Sequence, residues 1–310
     1  ILLIFDGIVQ YFFGQNLLGF KLTQGPRVSS FFNDDLILGS YLSRLFPLLL
    51  GIFIFIYEKE KSKFLQYSLL LILILSGVII FLSGERTALF YFILSNVFLF
   101  FFLKNFKKLR FISFGLSALI LIISIIINPS IKERMIDLTF EELRLNKNYS
   151  DYILYNLDDI VIFTDQHTQH YKSALNIYKD NLIFGVGIRN FRKVCHEEKY
   201  KISEISCSTH PHNTYVQLLS ELGTIGFLFI IFILFYFINL IFKISKNKNL
   251  SDNSLNDFNL CLITSVLISL WPLSPSGNFF SNWLNIIYYL PGGFILFIHQ
   301  SKKNFTVIKK

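Results

Sequence analysis

The sequence predicts an all-α polytopic membrane protein, and three observations lead there. Hydrophobic residues make up 53% of the 310 residues and charged residues only 16%, against roughly 25% charge in an ordinary soluble chain. Mean hydropathy is +0.51. Apolar runs long enough to cross a hydrocarbon core of roughly 30 Å recur along the chain. A soluble enzyme, a disordered protein and a disulfide-dense secreted domain are all excluded by these numbers.

Spans are expected near residues 36–57, 64–82, 87–103, 111–127, 223–242, 259–274 and 283–299, with 1–13 reading as the remnant of another. The last two carry Pro272, Pro275 and Pro291 near their ends, which softens their limits. Because the chain begins at Ile1 inside an apolar run, it is expected to be a piece of a longer protein. Three parts follow from this layout: N-terminal membrane helices over 1–127, one large polar loop over 128–222, and C-terminal membrane helices over 223–310.

Charge placement orients the spans. Lys59, Lys61 and Lys63, then Lys104, Lys107, Lys108 and Arg110, then Lys243, Lys246 and Lys248, then Lys302, Lys303, Lys309 and Lys310 all fall on one side. The opposite short loops hold only Lys21, Arg27 and Arg86. Positive-inside logic puts the first set and the C-terminus in the cytoplasm, and the large loop on the outer face. The net charge of +8 is thereby read as a topology signal. No aromatic-interleaved basic groove accompanies it, so no nucleic-acid partner is expected.

Long loops usually carry function, which directs the search for chemistry to 128–222. This segment holds His167, His170, His196, His210 and His212 together with Cys195 and Cys207. Residues 130–145 and 170–182 read as amphipathic helices, the second lying against the membrane surface. The sharpest feature is His210-Pro-His212-Asn213-Thr-Tyr215-Val-Gln217-Leu-Leu-Ser-Glu221-Leu-Gly223-Thr-Ile-Gly226, which runs directly into a span. An imidazole is the natural proton acceptor at neutral pH. Asn213 suits a helix cap, and Gly223 and Gly226 suit close helix packing. The plain alternative is a pair of interfacial histidines at a helix mouth.

Those residues, with others, resemble a known family. His212-Asn213 followed by Gly223-x-x-Gly226 is similar to the signature of the O-antigen ligase and O-antigen polymerase superfamily. Ser83-Gly84-Glu85-Arg86-Thr87-Ala88 resembles its arginine motif, and Asn181-Leu-Ile-Phe-Gly185-Val-Gly187-Ile-Arg189-Asn190-Phe191 its Gly-x-Gly segment. Gln10-Tyr-x-x-Gly14 and Leu38-Gly39-Ser40-Tyr41-Leu42-x-Arg44-x-x-Pro47 also fit.

The resemblance implies a GT-C-like helical bundle with one large extracytoplasmic loop in the bacterial inner membrane. It implies a glycosyltransferase that takes a glycan from a polyprenyl-diphosphate carrier, such as undecaprenyl diphosphate, at the periplasmic face. The acceptor would be a hydroxyl of a lipid A core, or a growing glycan if the protein is a polymerase. Transfer would be metal-independent and inverting, with no cofactor; donor, acceptor and membrane lipid are the partners. His212 is the implied base and Arg86 the implied cation of the catalytic pair. Substrate contacts are expected from Arg44, Arg189, His210, Asn213, Gly185 and Gly187.

Physical chemistry weighs on several of these residues. Diphosphate is a good leaving group, so the protein needs cations where its charge develops, and arginine grips phosphate oxygens through a planar fork. Arg86 is placed for that at a span mouth, or else snorkels to the interface. Arg44 lies roughly eight residues, about 12 Å, inside a span. At that depth a charge is costly and marks a functional site or a buried pair. Arg189 and Arg192 follow the glycine turn as lipid-head ligands or as solvated cations. Ligases of the family tend to carry an arginine ahead of the helix that precedes the Gly-x-Gly segment. This chain has Asp165-Gln166-His167-Thr168-Gln169-His170-Tyr171-Lys172-Ser173 there, leaving His170, Lys172 or Arg189 to substitute.

His167-x-x-His170, His210-x-His212, Glu197 and Glu198 could assemble a zinc site, but their spacing matches no recognised zinc pattern, and no metal is expected. Cys195 and Cys207 are read as a disulfide that an oxidising compartment permits, worth roughly 3 kcal/mol for so short a loop. Cys261 is read as packing. Trp271-Pro272-x-x-Pro275-Ser-Gly277-Asn278-Phe279-Phe280-Ser281-Asn282-Trp283 is an aromatic outer turn, suited to an interfacial belt or to a lipid or sugar site. The competing classes are a lipid-linked oligosaccharide transporter and a non-catalytic scaffold. A transporter would show midplane charges and internal repeats, whereas the polar groups here gather in the one large loop.

Overall fold

The computed structural model describes residues 1–22, 25–103, 105–142, 164–246 and 253–308. Within them the regular secondary structure is helical, with a single isolated bridge between Gln15 and Lys21. The helices are α1 (Leu2–Phe13), α2 (Leu38–Glu60), α3 (Lys63–Leu82), α4 (Arg86–Phe102) and α5 (Lys107–Ile127). The short α6 (Pro129–Lys132) passes through a π turn into α7 (Leu138–Glu142). Then come α8 (Asp165–Asp180), α9 (Phe191–Val194), α10 (Thr214–Lys246), α11 (Asn253–Ser269) and α12 (Asn282–Ile308).

Helices α2, α3, α5 and α10 are long and apolar enough to cross a membrane, and α1, α4, α11 and α12 contain shorter apolar stretches. The chain is an all-α polytopic membrane protein. The expected span at 259–274 is displaced, because α11 ends at Ser269 ahead of the Trp271-Pro272 turn. Of the cations used for orientation, Lys104, Lys248, Lys309 and Lys310 lie outside the described residues, as do the side chains of Lys246, Lys302 and Lys303. Residues 143–145 of the expected amphipathic segment lie outside them too.

The chain divides into two compact units. The first comprises Ile1–Met135, Phe237–Ser269 and Ile287–Lys310; the second comprises Ile136–Tyr236 and Leu270–Ile286.

In the first unit α2 is central, packed against α3, α4 and α11, while α3 also packs on α1 and α5. Phe46, Leu50, Ile54, Leu73, Ile80 and Phe92 form the middle of its core. With no hydrophobic drive between helices in lipid, association depends on close packing and shared hydrogen bonds. Gly51 gives α2 its closest approach to α11: a Cβ there would stand 2.8 Å from Phe258 Cδ2 and from Cys261 Cβ. Ser265 Oγ donates to the Arg44 carbonyl at 2.5 Å, and Ser117 Oγ to the Ile74 carbonyl at 3.3 Å.

Non-helical backbone in this unit is satisfied from side chains, as a low-dielectric surrounding demands. Asp6 and Gln10 on α1 organise the loop that follows. Asp6 accepts from Leu17 N and Ser30 Oγ, and Gln10 Oε1 accepts from Ser29 N and Ser30 N. At the other end of the helices Arg110 caps α4 by donating to the Leu99 and Leu103 carbonyls, and Asp257 accepts from Asn105 N.

Gly51→Ala is expected to destabilise the protein by about 1–3 kcal/mol through overpacking. A lowered thermal midpoint in detergent checks it; an unchanged one contradicts the packing described.

Candidate functional site

Two groups of candidate side chains emerge, one in each unit. In the first unit the Ser83-Gly84-Glu85-Arg86 turn links α3 to α4, with Gly84 at φ 68°. Glu85 is the N-cap of α4 and reaches across to the start of α2, where its carboxylate accepts from Gly39 N at 2.7 Å and Ser40 N at 3.1 Å. A carboxylate there also complements the positive end of the α2 dipole. Burial pushes the Glu85 carboxyl above its usual range, and the hydrogen bonds from Ser40 and Gly39 oppose that rise. Gly39 is required at the contact, since a Cβ would lie 2.1 Å from Ser83 Oγ.

Three guanidinium groups attend this turn. Arg86 opens α4, Arg27 Nε donates to the Ser83 carbonyl at 3.0 Å, and Arg134 Nε to the Gly84 carbonyl at 3.4 Å. Burial, then the charge of Arg134, hold the Arg27 guanidinium below its ordinary range. Arg44 is buried, stacked 4.3 Å over the Tyr91 ring, and donates to the Ser40 carbonyl at 3.1 Å. It therefore braces the same first turn of α2 that Glu85 holds.

In the second unit the N-terminal turns of α10 gather everything. Asn213 caps the helix as its sequence position suggests, its Oδ1 accepting from Tyr215 N at 2.9 Å. Its Nδ2 donates to the Pro272 and Ser274 carbonyls, so its polar atoms are engaged within the protein. Gln217 donates to Asn278 Oδ1 and Glu221 Oε2, and accepts from Phe279 N. Glu221, fully buried, accepts from Phe191 N at 3.2 Å, and its own carbonyl accepts from Gly187 N at 2.8 Å.

The Gly185–Gly187 segment lies directly on α10. Val186 N donates to the Ser220 carbonyl, and Thr224 N to the Leu182 carbonyl. A Cβ on Gly185 would be 2.4 Å from the Glu221 carbonyl carbon, and one on Gly223 would be 2.3 Å from the Ile183 oxygen. Gly223 itself, at φ 66° and ψ −159°, breaks α10. It was expected to serve helix packing; its actual service is to admit the loop backbone. A Cβ on Gly226 would first meet Leu222 of its own helix, at 2.3 Å. Arg189 has φ 59° and donates to the Phe280 carbonyl.

His212, at φ 56°, stands in the left-handed region immediately before the helix. Such conformations persist at functional sites when the surroundings fix them. Here Ser276 N holds the His212 carbonyl at 2.8 Å. Three other imidazoles cluster around it. Ring centroids separate His212 from His210 by 4.1 Å, from His170 by 5.1 Å and from His167 by 5.6 Å. His167 is anchored by Thr164, and His210 lies between Thr209 Oγ1 and the Ser276 carbonyl. His170, fully buried on α8, stacks on His212 with 21° between ring planes.

Burial pushes His210 down to about 4, the Ser276 carbonyl opposing. Burial, followed by the neighbouring His210, pushes His212 down to about 3. Burial likewise lowers His170. All three are neutral at pH 7.

Cys195, His196 and Cys207 place two sulfurs and a ring nitrogen within 4.8 Å of one another, a spacing that could hold a metal ion. Both cysteines stand as thiols, and burial followed by Cys207 pushes Cys195 up to about 12. Sequence reasoning missed Arg27 and Arg134, which reach the arginine turn only through the fold. It weighed His167, His170, His210 and His212 together only as a metal site, and did not foresee the rings stacking about His212.

A polytopic helical membrane protein with an arginine turn and a histidine cluster is the class this geometry defines. The family model for O-antigen ligase (Wzy_C) matches residues 69–231, more than half of the 310-residue chain. The chain belongs to the O-antigen ligase family. No curated protein matches it.

A pH dependence of stability follows from the cluster. A folded-state pKa lowered from an ordinary value of about 6.5 means that the unfolded chain takes up protons the folded one refuses. This contribution is complete above that value and is lost as pH falls toward 4 and then 3. The thermal midpoint should fall between pH 7 and pH 4.5, and the fall should be shallower in His210→Asn/His212→Asn. Equal slopes for the two proteins would contradict the buried neutral cluster.

Proposed function

We propose that the chain is a glycosyltransferase of the bacterial inner membrane, moving a glycan from a polyprenyl-diphosphate carrier to an acceptor hydroxyl at the periplasmic face, with the C-terminus in the cytoplasm. The acceptor is a lipid A core in this reading. What carries it is His212: a neutral, half-buried imidazole held in a left-handed conformation at the head of α10 by Ser276, Asn213 and its fellow histidines.

In the proposed step the acceptor oxygen bonds to the anomeric carbon from the face opposite the leaving group. The bond from that carbon to the diphosphate oxygen breaks, and the electron pair leaves with polyprenyl diphosphate. The hydroxyl proton passes to His212, with no metal or cofactor taking part. Diphosphate bound beside the imidazole would raise its low proton affinity, since an adjacent negative charge favours the protonated form. Arg189 is the cation for that diphosphate, with the Gly185–Gly187 backbone beside it approaching the headgroup; Arg86 is the catalytic cation that the family's arginine motif implies. Arg27 and Arg134 add to the field at the Arg86 turn. Arg44 positions that turn through Ser40, while Asn213 and His210 position His212. Cys195 and Cys207 pair as a disulfide in the oxidising compartment.

Cells lacking the full-length protein, complemented with wild type or His212→Ala, test the reading on a lipopolysaccharide gel. Wild type should restore long glycan on the lipid core, and His212→Ala, though present at normal level, should leave long chains on the polyprenyl carrier. Single repeat units on the core would instead identify a polymerase with the same donor chemistry. Full complementation by His212→Ala would sink the catalytic reading.

A further inference from the structure

We infer that the Leu182–Ile188 loop, outside every membrane-spanning helix, is itself seated among the acyl chains of the leaflet at which α10 begins. Four large apolar side chains of this short segment are turned away from the protein: Leu182 is 52% exposed, Ile183 61%, Phe184 74% and Ile188 53%. Apolar side chains so concentrated at a surface mark an interaction site. The occupant is indicated by what the loop is joined to. The Leu182 carbonyl accepts from Thr224 N and Thr224 Oγ1, each at 2.8 Å, and the Ile183 carbonyl from Ile225 N at 3.4 Å. From Ile225 to Phe235 the exposed side chains of α10 are also apolar, among them Leu228 and Phe229. The loop thus continues the surface that a crossing helix presents to lipid.

The amides at the middle of the loop find partners within the protein. Non-helical chain is tolerated at membrane depth only where its polar groups find partners. Gly185 N donates to the Asn181 carbonyl, Val186 N to Ser220 O and Gly187 N to Glu221 O, while the Val186 carbonyl accepts from Asn190 Nδ2. Glycines at 185 and 223 bring the two backbones together closely enough for this. The ends are charged: Lys179 and Asp180 precede the apolar run, and Arg189 and Arg192 follow it, all four solvent-exposed. Apolar residues between flanking cations suit a segment whose middle enters the acyl region and whose ends stay with the headgroups.

The test uses the full-length protein in nanodiscs of phosphatidylethanolamine and phosphatidylglycerol, with p-benzoyl-phenylalanine replacing Phe184, Ile188, Phe229 or Glu198 in turn. After irradiation, a mass increase of one phospholipid is expected at 184, 188 and 229 and not at 198. Lipid adducts at 229 with none at 184 and 188 would overturn the inference, as would cross-links from 184 to a second copy of the chain. Two loop positions guard against one variant misfolding. No lipid-linked donor is present, so failure here leaves the transferase reading untouched, and an active His212→Ala leaves this inference untouched.

Discussion

The second unit depends on one contact, the seating of the glycine loop on the broken start of α10. Gly223 leaves the helical region so that the Ile183 carbonyl can approach, and Gly185 lacks the Cβ that would strike the Glu221 carbonyl. Glu221 closes the contact by accepting from Phe191 N, and Gln217 ties the same helix face to Asn278 and Phe279. His212 sits at the head of this assembly. Its strained backbone is tolerated because Asn213 fixes the helix start and Ser276 fixes the His212 carbonyl. A rigid support of this kind is what a base must have to meet a substrate hydroxyl in a reactive geometry.

The first unit solves a different problem. Its α1–α2 connection and its α3–α4 turn hold non-helical backbone among apolar helices, and buried polar side chains satisfy it. Asp6 and Gln10 serve the first, Arg27 and Arg134 serve the second, and Glu85 serves the start of α2. The result is a turn on which Arg27, Arg86 and Arg134 converge, braced from inside the bundle by Arg44 through the Ser40 carbonyl. Arginine is suited to such work because its charge persists and its planar fork can serve several acceptors.

The membrane helices were legible in the sequence because hydropathy is a local property summed over one segment. Glycine and histidine motifs were legible as motifs, but their service was only partly so. Gly223 looked like a packing residue and proves to be a break in α10, since the loop that needs the break is almost forty residues away in sequence. Asn213 as a cap could be read locally, because a cap involves only its next few residues. Its grip on Pro272 and Ser274 could not. His167 and His170 were visible as a pair one helical turn apart. That their rings surround His212 depends on how α8 packs, which no local pattern encodes. Arg27 and Arg134 were passed over for the same reason.

The central claim is that His212 accepts the acceptor proton. Transfer by the purified full-length protein in lipid, from a polyprenyl-linked donor, tests it most directly when His212→Ala is assayed with and without added imidazole. General-base catalysis contributes roughly 10²–10⁴-fold, so a loss of that order with partial restoration by imidazole is the predicted result. Activity equal to wild type in the folded variant would contradict the account.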